Sequence, residues 1–114
     1  MTGILTAVVN QPADDPFPFR GRVVWLTPAQ GGRQTGPPRP DFYAANAFVP
    51  PHTAHSGLAS FVLRNLVAGA LVSPAEARWL VVENSGPYRV EPGTVVVVSE
   101  GPKPVGYFHV VEVS

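Results

Sequence analysis

The 114-residue chain has no cysteine, one lysine and no net charge, and each shortage narrows the possible functions. Without cysteine there is no disulfide, no thiolate nucleophile and no thiolate metal ligand, which agrees with a cytoplasmic location. Eight basic and eight acidic residues cancel, so the basic excess of a dedicated nucleic-acid binder is missing, although a local basic patch remains open. The longest apolar runs, such as Leu66–Val72, are far shorter than the about 20 residues that cross a bilayer, so we expect no membrane partner.

Proline and glycine are abundant, with 14 and 11 residues, and they separate short apolar runs without a fixed period. Hydrophobic residues make up 45% of the chain, which is enough to build one folded core at this length. Short apolar runs with turn sequences about every eight to twelve residues predict an antiparallel β-barrel or sandwich. We expect an extended lead-in over residues 1–18, with a strand at Ile4–Val9, and a single β-barrel domain over residues 19–114.

Period-2 alternation and β-branched runs locate the individual strands. The predicted strands are Phe19–Thr27, Asp41–Val49, Gly57–Leu66, Thr94–Ser99 and Val105–Val113. The four consecutive valines at 95–98 predict a strand that is buried on both faces. Ser73-Pro74-Ala75-Glu76 has the pattern of a capped helix start, so we predict a short helix there, followed by a strand at Trp79–Glu83. Trp25 and Phe108 are expected in the core.

Segments at both ends of the chain resemble one protein family in the same order. Phe19–Leu26 is followed by Gly31-Gly32-Arg33-Gln34-Thr35 and by Arg39-Pro40-Asp41-Phe42, and the hairpin Gly93–Val110 contains a Glu-Gly turn and a Val-Gly pair. Together, over roughly the outer thirds of the domain, they resemble the third, β-barrel domain of elongation factor Tu and related translational GTPases. The resemblance implies a small six-stranded antiparallel β-barrel that serves as an attachment surface for protein and RNA partners.

The resemblance also supplies candidate site residues and a role. It places Arg33, Gln34, Thr35 and Arg39 on a partner-contacting loop, where an arginine can pair with a phosphate. Tyr88, in a turn between Pro87 and Arg89, is the aromatic side chain expected to be most exposed, and we add it as a contact residue. The implied function is a non-catalytic module that contacts a protein or an RNA–protein assembly linked to translation. Because no Gly-x-x-x-x-Gly-Lys-Ser/Thr loop occurs, we expect no nucleotide and no GTP hydrolysis.

Purely structural roles are also open for these candidate residues. The glycines before Arg33 suit a turn in which the arginine packs over a neighbouring ring. The arginines at positions 20, 22, 33 and 39 form either a phosphate site or a rim of ion pairs with nearby aspartates. The pair His52 and His55 has no third ligand at a suitable spacing, so we expect no metal ion.

Two other functions remain. One is an accessory or oligomerising barrel without RNA contact, which uses the apolar run Leu66–Val72 as its interface. The other, a small hydrolase, has the least support, since no nucleophile, base and acid occur in a recognisable arrangement. We therefore expect neither an enzyme nor a cofactor, and the oligomeric state stays open. Met1 and the end after the last predicted strand indicate a complete small protein.

Overall fold

Six strands supply the regular structure of residues 17–114, which are the residues described in the computed structural model of the chain. They are β1 (Phe19–Trp25), β2 (Phe42–Phe48), β3 (Ala59–Arg64), β4 (Val72–Trp79), β5 (Val95–Glu100) and β6 (Lys103–Val113). Neighbouring strands are antiparallel in the order β1–β4–β3–β2–β5–β6, and β6 pairs with β1 to close the barrel. The predicted six-stranded antiparallel β-barrel is confirmed, while the strand predicted at Ile4–Val9 lies outside the described residues.

The connections between successive strands alternate between the two ends of the barrel, because every pairing is antiparallel. Residues 26–41, 65–71 and 101–102 connect strands at one end, which we call the upper end. Residues 49–58 and 80–94 lie at the other, lower end, together with the start of β1 and the end of β6. A surface formed by the residues that connect strands therefore lies either at the upper end or at the lower end of the barrel.

The inward-facing side chains meet around Phe61, which is 1% exposed. Its ring centroid lies 4.8 Å from that of Trp79, 5.9 Å from that of Phe108 and 6.4 Å from that of Phe19. Trp25 and Phe108 are both buried in this core, as predicted. Aromatic pairs at these separations add to the hydrophobic burial, so the lower half of the barrel is filled by rings.

The valine strand is buried on both faces, as its sequence predicts. Val96 and Val98 point inward and are fully buried, and Val97 points outward yet is only 7% exposed. Val97 lies opposite Phe48 on β2 and Tyr107 on β6, and these two neighbours flank it on the outer face. Phe48 and Tyr107 thus exclude water from Val97, although Val97 points away from the core.

The predicted helix start at Ser73–Glu76 is wrong, since all four residues belong to β4. The Ser73 hydroxyl accepts a hydrogen bond from the Val67 backbone at 2.8 Å and donates to the Pro74 carbonyl, so it caps no helix. Glu76 points outward and forms an ion pair with Arg64 on β3. Pairing with two neighbouring strands outweighs the local helix pattern, because tertiary contacts override weak propensities.

Two shifts of strand boundary follow from the same pairings. β4 ends at Trp79, so the strand predicted at Trp79–Glu83 is wrong, and the following Leu80 and Val81 are exposed. Lys103 and Pro104, which precede the predicted strand Val105–Val113, already belong to β6. Within residues 17–114, no helix has the length and the apolar character needed to cross a membrane.

Candidate binding surface

The connection from β1 to β2 at the upper end begins with a hydrogen-bonded turn. The Thr27 hydroxyl accepts from the Gln30 backbone at 3.2 Å, and the Gln30 side chain accepts from the Thr27 backbone at 2.9 Å, which forms a reciprocal cap on the 3-10 turn Pro28–Gln30. Gly31 follows at φ 90°, in the left-handed region that favours glycine. The first half of this connection is therefore fixed by its own sequence. Of the two glycines for which the turn interpretation expects a positive φ, Gly31 has one and Gly32 does not.

Arg33 is anchored rather than free. Its Nε lies 3.0 Å from a Glu100 carboxylate oxygen, and its guanidinium donates to the Gly36 carbonyl at 2.8 Å. The guanidinium also lies 5.3 Å from the centre of the Tyr43 ring, and the Tyr43 hydroxyl donates to the same Glu100 oxygen. This Arg33–Tyr43–Glu100 cluster joins the loop to β2 and β5. Arg33 thus packs over a ring and forms an ion pair, which are the two plain roles that the sequence leaves open for it.

The electrostatics of the cluster keep Tyr43 protonated. Burial of the ring, and then the hydrogen bond to the Glu100 carboxylate, raise the pKa of Tyr43 well above its ordinary range. A neutral hydroxyl can donate to Glu100, whereas a tyrosinate beside a carboxylate cannot. The Tyr43 hydroxyl therefore stays protonated at neutral pH and keeps its hydrogen bond to Glu100.

Gln34, Thr35 and Arg39 are the exposed members of the predicted site. Within residues 17–114 their side chains make no hydrogen bond or ion pair. The backbone around them is held at its far end, where Gly69 donates to Pro38 at 2.9 Å. The upper end thus presents three polar side chains without partners on a loop that is fixed on both sides.

Tyr88 does not join this group. It belongs to the 3-10 turn Gly86–Tyr88 at the lower end, so the barrel separates it from the 26–41 connection. Its half-buried ring packs edge-on against Trp79 at 5.5 Å, and its carbonyl accepts from the Trp79 indole at 2.8 Å. The prediction that Tyr88 is the most exposed aromatic is wrong for residues 17–114, where Phe42 is 52% exposed.

The predicted arginine patch divides between two elements. Arg20 and Arg22 lie on the outer face of β1, while Arg33 and Arg39 belong to the 26–41 connection. Arg20 pairs with Glu112 at 2.9 Å and Arg33 pairs with Glu100, so half of the patch forms ion pairs, with glutamates far along the chain and not with the nearby aspartates that the sequence suggests. Arg22 and Arg39 are the members without a partner among the described residues.

The apolar run Leu66–Val72 is only partly a surface. Leu66 is buried, whereas Val67, Leu71 and Val72 are 52%, 46% and 55% exposed at the upper end. Residues 17–114 contain no group of three or more histidine, cysteine or acidic side chains that could hold a metal ion. The exposed valines and leucine are a separate feature from the polar loop.

Comparison of the chain with models of protein families, with curated proteins and with solved structures finds no match. The fold and the surface alone define its class, a closed six-stranded antiparallel β-barrel with an anchored polar loop at its upper end. The likeness to the elongation factor Tu domain therefore depends on the sequence segments that suggest it.

Proposed function

We propose that this chain is a non-catalytic binding module that holds a protein or an RNA–protein partner at the upper end of its barrel. Gln34, Thr35 and Arg39 make the contacts with the partner. Arg33 holds the loop in position through its bonds to Glu100 and Gly36. The observation that supports this most strongly is the combination of three exposed polar side chains without partners and a loop fixed by backbone and side-chain hydrogen bonds.

A fixed loop favours binding because little conformational entropy is lost when a partner arrives. The cap at Thr27, the Arg33–Tyr43–Glu100 cluster and the contact to Gly69 order the loop before binding. Arg39 then offers a planar set of donors that suits a carboxylate or a phosphate. Gln34 and Thr35 add donors and acceptors beside it.

The identity of the partner is drawn from the sequence resemblance. The segments that resemble the third domain of elongation factor Tu include this same loop, and in that family the barrel is an attachment surface. We extend the proposal accordingly to a partner linked to translation, and to a cytoplasmic location. The protein would act without nucleotide or cofactor.

An affinity pull-down from native extract, with and without ribonuclease, tests the proposal. We expect Arg39→Ala and the double variant Gln34→Ala/Thr35→Ala to lose the partner while their thermal unfolding stays unchanged. Arg89→Ala is the matched control, because Arg89 is an exposed arginine at the lower end of the barrel. Loss of the partner on ribonuclease treatment would assign an RNA–protein assembly, whereas a resistant partner would be a protein.

Equal partner recovery by Arg39→Ala and by the wild-type chain would contradict the assignment of the loop. Arg33→Ala is a separate probe, because it removes an anchor rather than a contact. We expect it to weaken binding and also to lower stability, by about 1 kcal/mol for a partly exposed ion pair. A variant that weakens binding without any loss of stability would make Arg33 a contact residue instead.

A second candidate function is self-association through the exposed Val67, Leu71 and Val72. Light scattering over a range of concentrations tests it, with Leu71→Ser as the variant that should abolish any increase in mass. A chain that stays monomeric at high concentration would exclude this candidate. The polar loop would be unaffected by either result.

A further inference from the structure

A groove on the outer wall of the barrel lies where β1, β4 and the residue after β3 meet. It has a volume of about 300 Å³ and is lined by Arg20, Gly21, Asn65, Pro74, Ala75 and Glu76. It forms because β3 ends at Arg64 and the chain turns at Asn65, which has a φ of 63°, while β4 continues beside β1. Gly21 and Ala75 are the small lining residues of the groove, and Arg20, Asn65 and Glu76 are the polar ones.

The lining of the groove contains one positive and one negative side chain, Arg20 and Glu76, and a second arginine, Arg22, lies beside it. Glu76 accepts from Arg64 at 2.8 Å and from Asn65 at 3.0 Å, so its carboxylate is already neutralised from the β3 side. Arg20 pairs with Glu112 on the far side at 2.9 Å. Arg22 lies opposite Pro74, two residues along the same face from Arg20, and is exposed without a partner among the described residues.

Arg22 therefore supplies one unpaired positive charge at the edge of the groove, and Arg20 can supply a second. The pair between Arg20 and Glu112 is solvent-exposed, with 46% and 62% of the two side chains accessible, and such pairs exchange at small cost. Two neighbouring guanidinium groups can bind one carboxylate through parallel hydrogen bonds. The Pro74 ring offers an apolar contact for the stem of an acidic side chain.

Nucleic acid suits the groove less well than an acidic peptide. Residues 17–114 contain eight basic and six acidic side chains, a small excess for a surface that neutralises many phosphates. Among residues 17–114 no aromatic side chain lines the groove, so bases would have no ring of this part of the chain to stack on. We propose that this groove binds an aspartate or glutamate side chain from an acidic segment of a partner protein, through Arg22 and Arg20. This site is additional to the contact at the upper end.

Fluorescence anisotropy with labelled octaglutamate as the probe, using the full chain, tests the groove. We expect Arg22→Gln to weaken binding by about fivefold and Arg20→Gln/Arg22→Gln by about tenfold or more. Lys103→Gln is the matched control, because it removes one positive charge from an exposed side chain at the start of β6. It should leave octaglutamate binding within about twofold of wild type.

Three results would overturn the proposal. Equal losses in Lys103→Gln and Arg22→Gln would mean that octaglutamate senses only net charge. Tighter binding of octauridylate than of octaglutamate, with the same dependence on Arg22, would assign the groove to phosphate. A gain in octaglutamate affinity in Asp14→Asn/Asp15→Asn would mean that carboxylates of this chain, not of a partner, compete for the groove. Because Arg22 has no partner in the described residues, Arg22→Gln should fold normally and gives a result even if the double variant is unstable.

Discussion

Replacing Gly21 by alanine tests whether the barrel closes through β1 and β6 as described. Gly21 lies opposite Val110, directly after the irregularity in the β1–β6 pairing between Arg20 and Gly21. A Cβ added at Gly21 would lie 2.9 Å from the carbonyl carbon of His109 and 3.2 Å from the Cα of Val110, and closer still to the His109 oxygen. All three atoms belong to the backbone of β6, so no side chain can move aside.

The expected cost follows from this geometry. Ordinary contacts between such atoms are about 3.5–4.0 Å, so the two strands must separate by on the order of 1 Å. A shift of this size breaks about two ladder hydrogen bonds at about 1 kcal/mol each, and overpacking adds about 1–3 kcal/mol. We expect Gly21→Ala to lose about 3–5 kcal/mol of the roughly 5–15 kcal/mol that stabilises a domain, and to lower the melting temperature by at least about 10 °C.

Urea unfolding followed by tryptophan fluorescence measures the loss, since Trp25 and Trp79 are both buried. Gly31→Ala is the control: at Gly31, φ is 90° and no atom lies within 4 Å of an added Cβ, so its cost is the conformational one alone, about 1–2 kcal/mol. The steric argument would be refuted if Gly21→Ala were no less stable than Gly31→Ala. Such a result would mean that β1 and β6 do not approach as closely as described.

Three further substitutions test the core and the anchors. The folded chain holds the Tyr43 proton more tightly than the unfolded chain does, so this stabilisation is present below about pH 10 and is lost as the pH rises further. Between pH 9 and 11, Tyr43→Phe should therefore lose less stability than wild type in urea unfolding. The difference between the two proteins should approach about 1.4 kcal/mol per pH unit. Phe61→Ala should cost about 3–5 kcal/mol in the same assay, and a cost below 1 kcal/mol would contradict the ring-filled core. Asn84→Ala should cost about 2 kcal/mol, because the Asn84 amide accepts from the backbone nitrogen and donates to the carbonyl of buried Val90, and these backbone groups would be left unpaired. An unchanged urea midpoint would mean that water replaces the amide.

The sequence predicted the elements whose local pattern and tertiary environment agree. The alternation in Gly57–Leu66 and the valines at 95–98 identified β3 and β5, because a period of two residues and β-branched side chains suit a pleated surface. It failed at Ser73–Glu76, where a serine, a proline and a glutamate match a helix start and a strand with alternating burial equally well. Pairing of β4 with β1 and β3 decided the outcome, and no local pattern contains that information.

The candidate site was predicted in the same uneven way. The residue types of the loop, with glycines for the turn and polar side chains at Gln34, Thr35 and Arg39, were evident from the sequence. The anchoring of Arg33 by Glu100 was not, since 67 positions separate the two residues along the chain. Nor could the sequence place Tyr88 at the opposite end, because only the closed antiparallel order assigns each connection to an end.

By itself the sequence determined that this chain folds as a small β protein with turns at its glycines and prolines. That follows from side-chain shape and from the restricted backbone of those two residues. Only the tertiary structure decided which arginines are neutralised and which remain available. Arg22 and Arg39 lack partners because no carboxylate in the described residues is brought to them, whereas barrel closure brings Glu112 to Arg20 and Glu100 to Arg33.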